Sequence, residues 1–256
     1  MGSITLEVMG VGPLIRTWRQ RRRLSQLELA LDAGVSTRHL SFVETGRARP
    51  SERMVIHLAE QLEVPLRERN QLLLAAGYAP VYPRRGLDEP ELEPVRGALE
   101  RVLEGHQPFP ALVVDRQWEM VAANRAAGLL LEGVAAHLLE PPVNALRVTL
   151  HPEGMAPRIR NLGEWRAQLL VHLAHDAQAS GDPALAALHD ELSGYPGPDV
   201  PVRAHDVFIP LQLGDLSFLS TRTTFGTAVD VTVSELAVEA FFPADGATAA
   251  ALQSKS

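Results

Sequence analysis

The segment from residue 24 to residue 50, LSQLELALDAGVSTRHLSFVETGRARP, decides the fold of the N-terminal part of this chain. Ser25 and Glu28 have the spacing of a capping box, which satisfies the free N–H groups at the start of a helix. Three residues follow at helical spacing and predict one apolar face: Leu27, Ala30 and Leu31. Gly34 suits a tight turn, because glycine adopts a positive φ without a Cβ penalty. The segment therefore predicts a helix that ends in a turn.

A second short helix is predicted over residues 37–44. Ser36 caps it, and Leu40 and Val43 face the first helix. Its exposed face carries mostly hydrogen-bonding side chains: Thr37, Arg38, His39, Ser41 and Phe42. An apolar helix, a short turn and a donor-rich second helix together predict a helix-turn-helix that binds the major groove of DNA. The alternative, a helical hairpin that never meets DNA, is disfavoured because cap, turn glycine and face pattern agree.

The motifs S-Q-x-E-L-A, A-G-V-S and x-x-E-T-G-R-x-x-P resemble the lambda-repressor-like, or XRE-type, DNA-binding family. The resemblance implies that Gln26 steadies the protein on the DNA backbone. It also implies that Thr37, Arg38 and His39 face base edges or nearby phosphates, and that the E-T-G-R turn lies near phosphate.

Arg38 is the first candidate for base recognition, because a guanidinium can bind guanine O6 and N7 together. Thr37, His39 and Ser41 are further candidates, and Phe42 either touches a thymine methyl group or packs. Four residues are candidates for contacts with the DNA backbone: Gln26, Ser36, Arg47 and Arg49. For Arg47 and Arg49 the alternative is hydrated loop charge.

Charge is distributed unevenly along the 256 residues, whose net charge is −7. Residues 1–78 hold 11 arginines and eight acidic residues, whereas the remainder holds 13 basic and 23 acidic residues. The N-terminal part can therefore attract DNA although the whole chain is acidic. The arginine run at 19 and 21–23 either complements a helix dipole or contacts phosphate. Because cysteine is absent, disulfides, thiolate metal sites and a cysteine nucleophile are excluded.

Periodicity and turn residues predict five short helices up to Gly77, and hence an all-α domain over 1–78. They include an opening helix over 12–23, one capped by Ser51 and one over 66–76. Residues 79–94 hold four prolines and several charges and are predicted to be a linker. A second domain then covers 95–256. No secretory signal or membrane-spanning segment is predicted, so we expect a cytoplasmic, nucleoid-associated protein with no membrane partner.

The second domain is predicted to be α+β with one antiparallel sheet. Predicted helices cover 95–104, 125–131, 162–179 and 183–192, and a last helix runs from Ser234 to Phe242. Predicted strands cover 111–115, 118–123, 207–213, 216–224 and 229–233. A sheet covered by helices is a common way to enclose a small-molecule cavity.

Three long motifs resemble the ligand-binding domain of MmyB-like regulators: LVVDRQWEMVAAN, PPVNALRVTLHPEGMAPRIRNLGEW and TTFGTAVDVTVSELAVEAFFPADGAT. The resemblance extends from about Leu92 to Leu252. It implies a bacterial transcription regulator in which an XRE-type helix-turn-helix precedes a PAS-like domain. It also implies a pocket for a lipophilic small molecule, such as a fatty acid. The residues alone indicate only a DNA-binding domain followed by a sensor-like α+β domain.

Polar residues within apolar sequence are the candidate ligand contacts: Asn124, Arg147, His151, Arg158, Asn161 and Trp165. Arg147 is the preferred partner of a ligand carboxylate, because it alternates with apolar residues in N-A-L-R-V-T-L. The alternative is that these residues bind internal groups and stabilise the core, as we also expect of Trp118 and Trp165.

Metal binding and catalysis are not predicted. His172, His175 and Asp176 share one helix face but lack a third and fourth ligand partner in the sequence. No nucleophile elbow, glycine-rich phosphate loop or H-E-x-x-H motif occurs, so an enzyme is not expected and no cofactor is needed. We expect a homodimer on DNA, since one recognition helix covers few bases. The alternative is a DNA-binding protein whose second domain is a ligand-free dimerisation or protein-interaction platform.

Overall fold

The computed structural model describes residues 10–198, residue 200 and residues 208–254. Its described residues form two compact units. The N-terminal unit extends to Arg84 and also includes Val229–Val231, and the C-terminal unit takes in the described residues from Arg85 onward apart from those three.

The N-terminal unit has the five helices that the sequence predicts: α1 at Val11–Arg21, α2 at Gln26–Asp32, α3 at Thr37–Glu44, α4 at Glu52–Gln61 and α5 at Leu66–Ala75. The capping box is present, because Ser25 Oγ accepts from the Glu28 N–H at 3.2 Å and the Glu28 carboxylate accepts from the Ser25 N–H at 2.7 Å. Ser36 and Ser51 cap α3 and α4 in the same way. Capping of these short helices thus follows directly from the sequence.

The face of α2 that packs on the core differs from the predicted one. Leu27 and Leu31 are 58% and 71% exposed, whereas Leu29 and Ala30 are buried. Two apolar pairs with i, i+4 spacing overlap on this helix, Leu27–Leu31 and Leu29–Ala33. The second pair faces the other helices of the unit, and the predicted apolar face is therefore wrong at both leucines.

Helices α1 and α3 are in close contact at Gly12. A Cβ atom at this position would collide with the carbonyl oxygen of Val43 and would lie 2.8 Å from that of Glu44. Glycine therefore sets the distance between α1 and the C-terminal end of α3. The core around this contact contains Ile15, Trp18 and Leu40.

The C-terminal unit contains a five-stranded antiparallel sheet in the order β2-β1-β5-β4-β3. Its strands are β1 at Ala111–Val114, β2 at Met120–Ala123, β3 at Leu211–Leu213, β4 at Leu216–Thr224 and β5 at Ala237–Pro243. Its helices are α6 at Glu93–Gly105, α7 at Gly128–Leu131, α8 at Ala145–Leu150, α9 at Leu162–Ser180, α10 at Pro183–Ser193 and α12 at Gly246–Gln253, and a short α11 at Val231–Ser234 precedes β5. The α+β class predicted from the sequence is confirmed.

The sheet has two covered faces because successive side chains of a strand point in opposite directions. On one face Val113 and Val238 pack with Leu99 and Leu103 of α6. On the other face the sheet packs against helices α8, α9 and α10, and the residues of this larger core include Leu112, Val114, Phe218 and Ala237 from the strands. Strand β1 is consequently buried along its whole length, whereas the second half of β4 is polar and exposed.

Two predicted elements of this unit are wrong, and a third is only partly right. The strand predicted over 229–233 overlaps α11, and the helix predicted from Ser234 to Phe242 is instead strand β5 in the middle of the sheet. Serine followed by glutamate indicated a helix start, but pairing of β5 with β1 and β4 overrides that local signal. The alternating segment around Arg147 is helix α8. Of the predicted strand over 207–213 only Leu211–Leu213 is a strand, and Val207 lies outside the described residues.

Candidate functional sites

The exposed face of α3 presents an aromatic ring between two cations. The guanidinium carbon of Arg38 lies 5.4 Å from the ring centre of Phe42, and that of Arg47 lies 5.9 Å from it. Arg38 and Arg47 are both exposed, and Phe42 is half-buried. Contact with a ring restrains the arginines while their charges remain in solvent. The face is therefore cationic and available to a polyanion.

A buried ion pair fixes the orientation of α3. The Arg19 guanidinium on α1 donates two hydrogen bonds to the Glu44 carboxylate, at 2.7 and 2.8 Å. The Gln26 amide on α2 donates a third at 2.8 Å. Burial alone would raise the pKa of Glu44, but the hydrogen bonds from Arg19 and Gln26 outweigh it and hold that pKa below its ordinary value. Glu44 therefore joins α1 and α2 to the end of α3.

The other predicted DNA contacts, both to bases and to the DNA backbone, occupy different environments. Ser36 is exposed at the start of α3 and accepts from the His39 N–H at 3.1 Å. Thr37, His39 and Ser41 are half-buried on the same helix. Arg49 instead donates to the Ala76 carbonyl at the end of α5, at 2.9 and 3.2 Å, and stacks on Tyr78.

The arginine run at the end of α1 has mainly structural contacts. Arg19 is buried with Glu44, and Arg22 donates to the carbonyl groups of Leu62 and Glu63 at the end of α4, each at 2.9 Å. Arg21 stacks on Trp18, with its guanidinium carbon 4.8 Å from the ring centre. Of the two interpretations that the sequence left open, stabilisation of helix ends accounts for Arg19 and Arg22.

The C-terminal unit encloses a cavity between the sheet and helices α7, α8 and α9. Its volume is about 70 Å³ and its walls are mostly apolar. The residues that line it include Leu112, Met120, Leu146, Met155, Leu169 and Phe241. Flexible methionine and leucine side chains make up much of this lining, so the walls can adapt to an occupant.

Three buried polar groups that belong to residues lining the cavity lack hydrogen bonds to any described residue. They are the indole N–H groups of Trp118 and Trp165 and the Oε1 atom of Glu239. Arg222 lies beside Glu239, with its Nε 3.5 Å from Oε1. Burial, and more weakly the charge of Asp176, raise the pKa of Glu239 to about 7 against the opposing effect of Arg222. An apolar wall with unsatisfied donors and a carboxyl group is typical of a ligand site.

Trp118 has an unusual backbone conformation, with φ at 65°. The carboxylate of Asp115 stabilises this turn by accepting from the N–H groups of Gln117 and Glu119 at 2.8 and 2.9 Å. Arg222 stacks on the indole at 4.6 Å from its ring centre. Bulky residues rarely adopt positive φ, and such strain is concentrated at functional sites.

Of the six predicted ligand contacts, only Trp165 lines this cavity. Asn124 caps the turn before α7 and bonds the Leu103 and Phe109 carbonyl groups. Asn161 bonds the backbone of residues 210 and 212, at 2.8 and 3.1 Å. Arg158 donates to the Leu130 carbonyl at 2.5 Å. These three side chains stabilise loops around the core, which is the alternative that the sequence left open.

Arg147, the preferred carboxylate partner, is bound to a carboxylate of the protein. It donates two hydrogen bonds to Glu191, at 2.7 and 2.8 Å, and Tyr195 donates a third to Glu191 at 2.6 Å. Burial and the bond to Glu191 raise the pKa of Tyr195 to about 12. The imidazole ring of His151 packs edge-on against the Tyr195 ring, with the two ring centres 5.1 Å apart. Arg147 and His151 thus belong to a polar cluster that does not line the cavity.

Glu239 and Trp118 are the cavity residues that the sequence analysis did not identify as ligand contacts. The available signal was an acid within the apolar run AVEAFF, which is unusual for an element with both faces covered. Assignment of that run to a helix concealed the alternation that places Glu239 and Phe241 on one face.

Among the described residues, one group has three potential metal-ligand atoms within 4.8 Å of one another: His137, His151 and Glu153. Two of the three are exposed, and exposed groups of this kind are common without a metal ion. Asp176, which the sequence places near His172 and His175, instead accepts from Arg222 at 2.8 Å. No helix in the described part of the chain is both long and apolar enough to cross a bilayer.

Comparison with known families gives two matches. Residues 95–254 match the model of the MmyB-like transcription regulator ligand binding domain. Residues 15–69 match a helix-turn-helix family model. No curated protein matches the chain at a significant level. Both resemblances inferred from the sequence are confirmed.

Proposed function

Because the chain belongs to the family of MmyB-like transcription regulators and carries a DNA-binding helix-turn-helix, we propose that it is a sequence-specific regulator controlled by a lipophilic small molecule. The observation that carries the DNA part is the cationic outer face of α3. The apolar cavity with its unsatisfied polar groups carries the ligand part.

On DNA, α3 lies in the major groove. Arg38 is exposed near the first turn of α3, where recognition helices contact base edges. A bidentate contact of its guanidinium with guanine contributes about 1–3 kcal/mol of discrimination between bases. Two copies of the chain bind two half-sites, because one helix covers few base pairs. The regulator acts on the nucleoid in the cytoplasm.

The ligand lies in the cavity of the PAS-like C-terminal domain. An acyl chain such as that of a fatty acid complements the apolar walls. The volume of about 70 Å³ is smaller than the roughly 150 Å³ of a cavity that holds one benzene molecule, so an acyl chain enters only if side chains such as Met120 and Met155 change rotamer. The ligand changes DNA affinity only if it binds the DNA-competent and DNA-incompetent arrangements of the chain with different affinities.

A binding titration tests the coupling. The affinity of the full chain for a duplex selected from random sequence is measured by fluorescence anisotropy with and without octanol or octanoate. We expect at least one of the two lipophiles to change the dissociation constant about fivefold or more. If the dissociation constant for DNA stays the same when either lipophile is bound, the cavity does not control DNA binding.

One observation favours the alternative function, a dimerisation or protein-interaction platform. A groove of about 360 Å³ lies between α6 and the sheet, and it is lined by Val102 and Phe242, which are 52% and 41% exposed. Val102→Glu would then disrupt association in sedimentation experiments. A cavity that takes up no lipophile, together with this loss of association, would support the platform instead of the sensor.

A further inference from the structure

We propose that the cavity selects a lipophile with an uncharged head group that both donates and accepts hydrogen bonds, such as a primary amide or an alcohol. Glu239 accepts from that head group, and the indole N–H groups of Trp118 and Trp165 donate to it. This inference rests on the proposed function, because it assumes that the cavity is the ligand site.

The composition of the cavity wall determines the head group. Apart from Trp118, Trp165 and Glu239, which carry the three unsatisfied groups, the only polar side chains among the described lining residues are those of Thr149 and Ser220, and the Thr149 hydroxyl already donates to the Ala145 carbonyl. Two indole N–H groups require an acceptor, and a carboxylate requires a donor. A head group that offers both a donor and an acceptor can pair with all three, whereas a buried polar group that remains unpaired on binding lowers the affinity.

An ionised carboxylate is a poor fit for the same site because of the charges around it. Glu239 and Asp176 each contribute a negative charge, and Arg222 lies between them. Its guanidinium donates a hydrogen bond to Asp176 at 2.8 Å, and its Nε lies 3.5 Å from Oε1 of Glu239. With Glu239 ionised, the three groups therefore have a net negative charge. A ligand carboxylate would add a further anion to a region of low dielectric constant, and Arg147 cannot offset it from outside the cavity.

Trp118 supplies independent support. Its φ of 65° is strained for a bulky residue, and Asp115 and Arg222 both stabilise the conformation. This turn, which connects β1 and β2, holds the Trp118 side chain among the residues that line the cavity. Strain of this kind persists where it positions a functional group.

Three probes that share the same hydrocarbon chain and differ in head group test the proposal: octanamide, octanol and octanoate. Isothermal titration calorimetry of the full chain at about pH 8, where Glu239 is mostly ionised, should show octanamide and octanol binding about tenfold or more tightly than octanoate. Glu239→Gln should bring the three affinities to within about threefold of one another. Glu191→Gln, which neutralises a carboxylate outside the cavity, should leave the preference unchanged.

A second measurement locates the head group. In an ¹H–¹⁵N spectrum, the indole N–H signals of Trp118 and Trp165 should move downfield on saturation with octanamide. The variants Trp118→Phe and Trp165→Phe assign the two signals, because each variant lacks one of them. Tight binding of octanoate, equal to that of octanamide, would overturn the head-group preference and leave the cavity as the ligand site. Indole signals unmoved by bound octanamide would overturn the contact. Failure of all three probes to bind would overturn the ligand part of the proposed function as well.

Discussion

The guanidinium of Arg19 and the carboxylate of Glu44 form two hydrogen bonds, at 2.7 and 2.8 Å, across the interface of α1 and α3. The Glu44 side chain is only 1% exposed, so this pair is shielded from water. Loss of one partner from a buried pair leaves an uncompensated charge, which is more costly than loss of the pair as a whole. The ion pair is therefore one of the contacts that hold α3 against α1, together with the close approach at Gly12.

Glu44→Ala should lower the free energy of unfolding of the N-terminal unit by about 3–5 kcal/mol, because Arg19 would remain buried without its counter-charge. Calorimetry of the full chain measures the change. Glu60→Ala is the matched control, since Glu60 is half exposed and lies 3.9 Å from Arg69, and it should cost less than about 1 kcal/mol. Equal effects of the two substitutions would show that the Arg19–Glu44 pair is no more important than a surface pair.

Gly12→Ala should separate α1 from α3, because its Cβ would meet the carbonyl groups of Val43 and Glu44. We expect a loss of about 3 kcal/mol in stability and a matching loss of DNA affinity. Gly10→Ala is the control, because a Cβ there meets nothing within 4 Å. A variant at position 12 that melts and binds DNA like the parent chain would rule out the close helix contact.

Arg38→Ala should weaken binding to the selected duplex by about 1–3 kcal/mol more than it weakens binding to non-specific DNA, because a lost base contact affects specificity. Competition titrations at one salt concentration measure both affinities. Arg101→Ala removes the same charge from an exposed site on α6 and should change neither. If Arg38→Ala reduces both affinities equally, Arg38 contacts phosphate.

Arg147→Ala should leave the affinity for octanoate unchanged, since Arg147 binds Glu191 and does not line the cavity. Its side chain is 42% exposed, so solvent weakens the ion pair and we expect a stability loss below about 1 kcal/mol. Calorimetric titration and thermal unfolding of the same samples provide both numbers. A clear fall in octanoate affinity would restore Arg147 as the head-group partner.

Glu239→Gln should make the C-terminal unit more stable at high pH. The pKa of Glu239 is raised from 4.5 to about 7 in the folded chain, so the folded state binds more protons than the unfolded state between these values and loses stability as the pH rises. The neutral variant avoids this loss. Relative to the parent chain, its free energy of unfolding should gain up to about 3 kcal/mol above pH 7 and almost nothing below pH 4.5. Thermal unfolding across this range checks the trend. If the difference in the free energy of unfolding between the variant and the parent chain is the same at all pH values, the pKa of Glu239 is not raised.

The N-terminal fold follows from local signals, because caps and turns act over a few residues. Ser25, Ser36 and Ser51 each form the predicted cap. The exposure of Leu27 and Leu31 was not predictable, since α2 has two overlapping apolar faces and only the neighbouring helices select between them. The same local rules could not show that Gln26 would bond Glu44, because the two are distant in sequence.

The C-terminal site was less predictable because it depends on sheet pairing. The segment that forms β5 has a helix-like start, and its identity as the central strand is decided by β1 and β4. With β5 misassigned, Glu239 could not be placed beside Arg222, its partner in the strand register. Polar residues such as Asn124 and Asn161 were correctly recognised as unusual, but their partners are backbone groups.

Recognition of a particular DNA sequence by the outer face of α3 can be measured by in vitro selection from random duplexes with the full chain, at moderate ionic strength. We expect enrichment of one motif, made of two inverted half-sites about one helical turn apart, and its loss with Arg38→Ala. Folded protein that binds all duplexes alike and enriches no sequence would contradict this recognition.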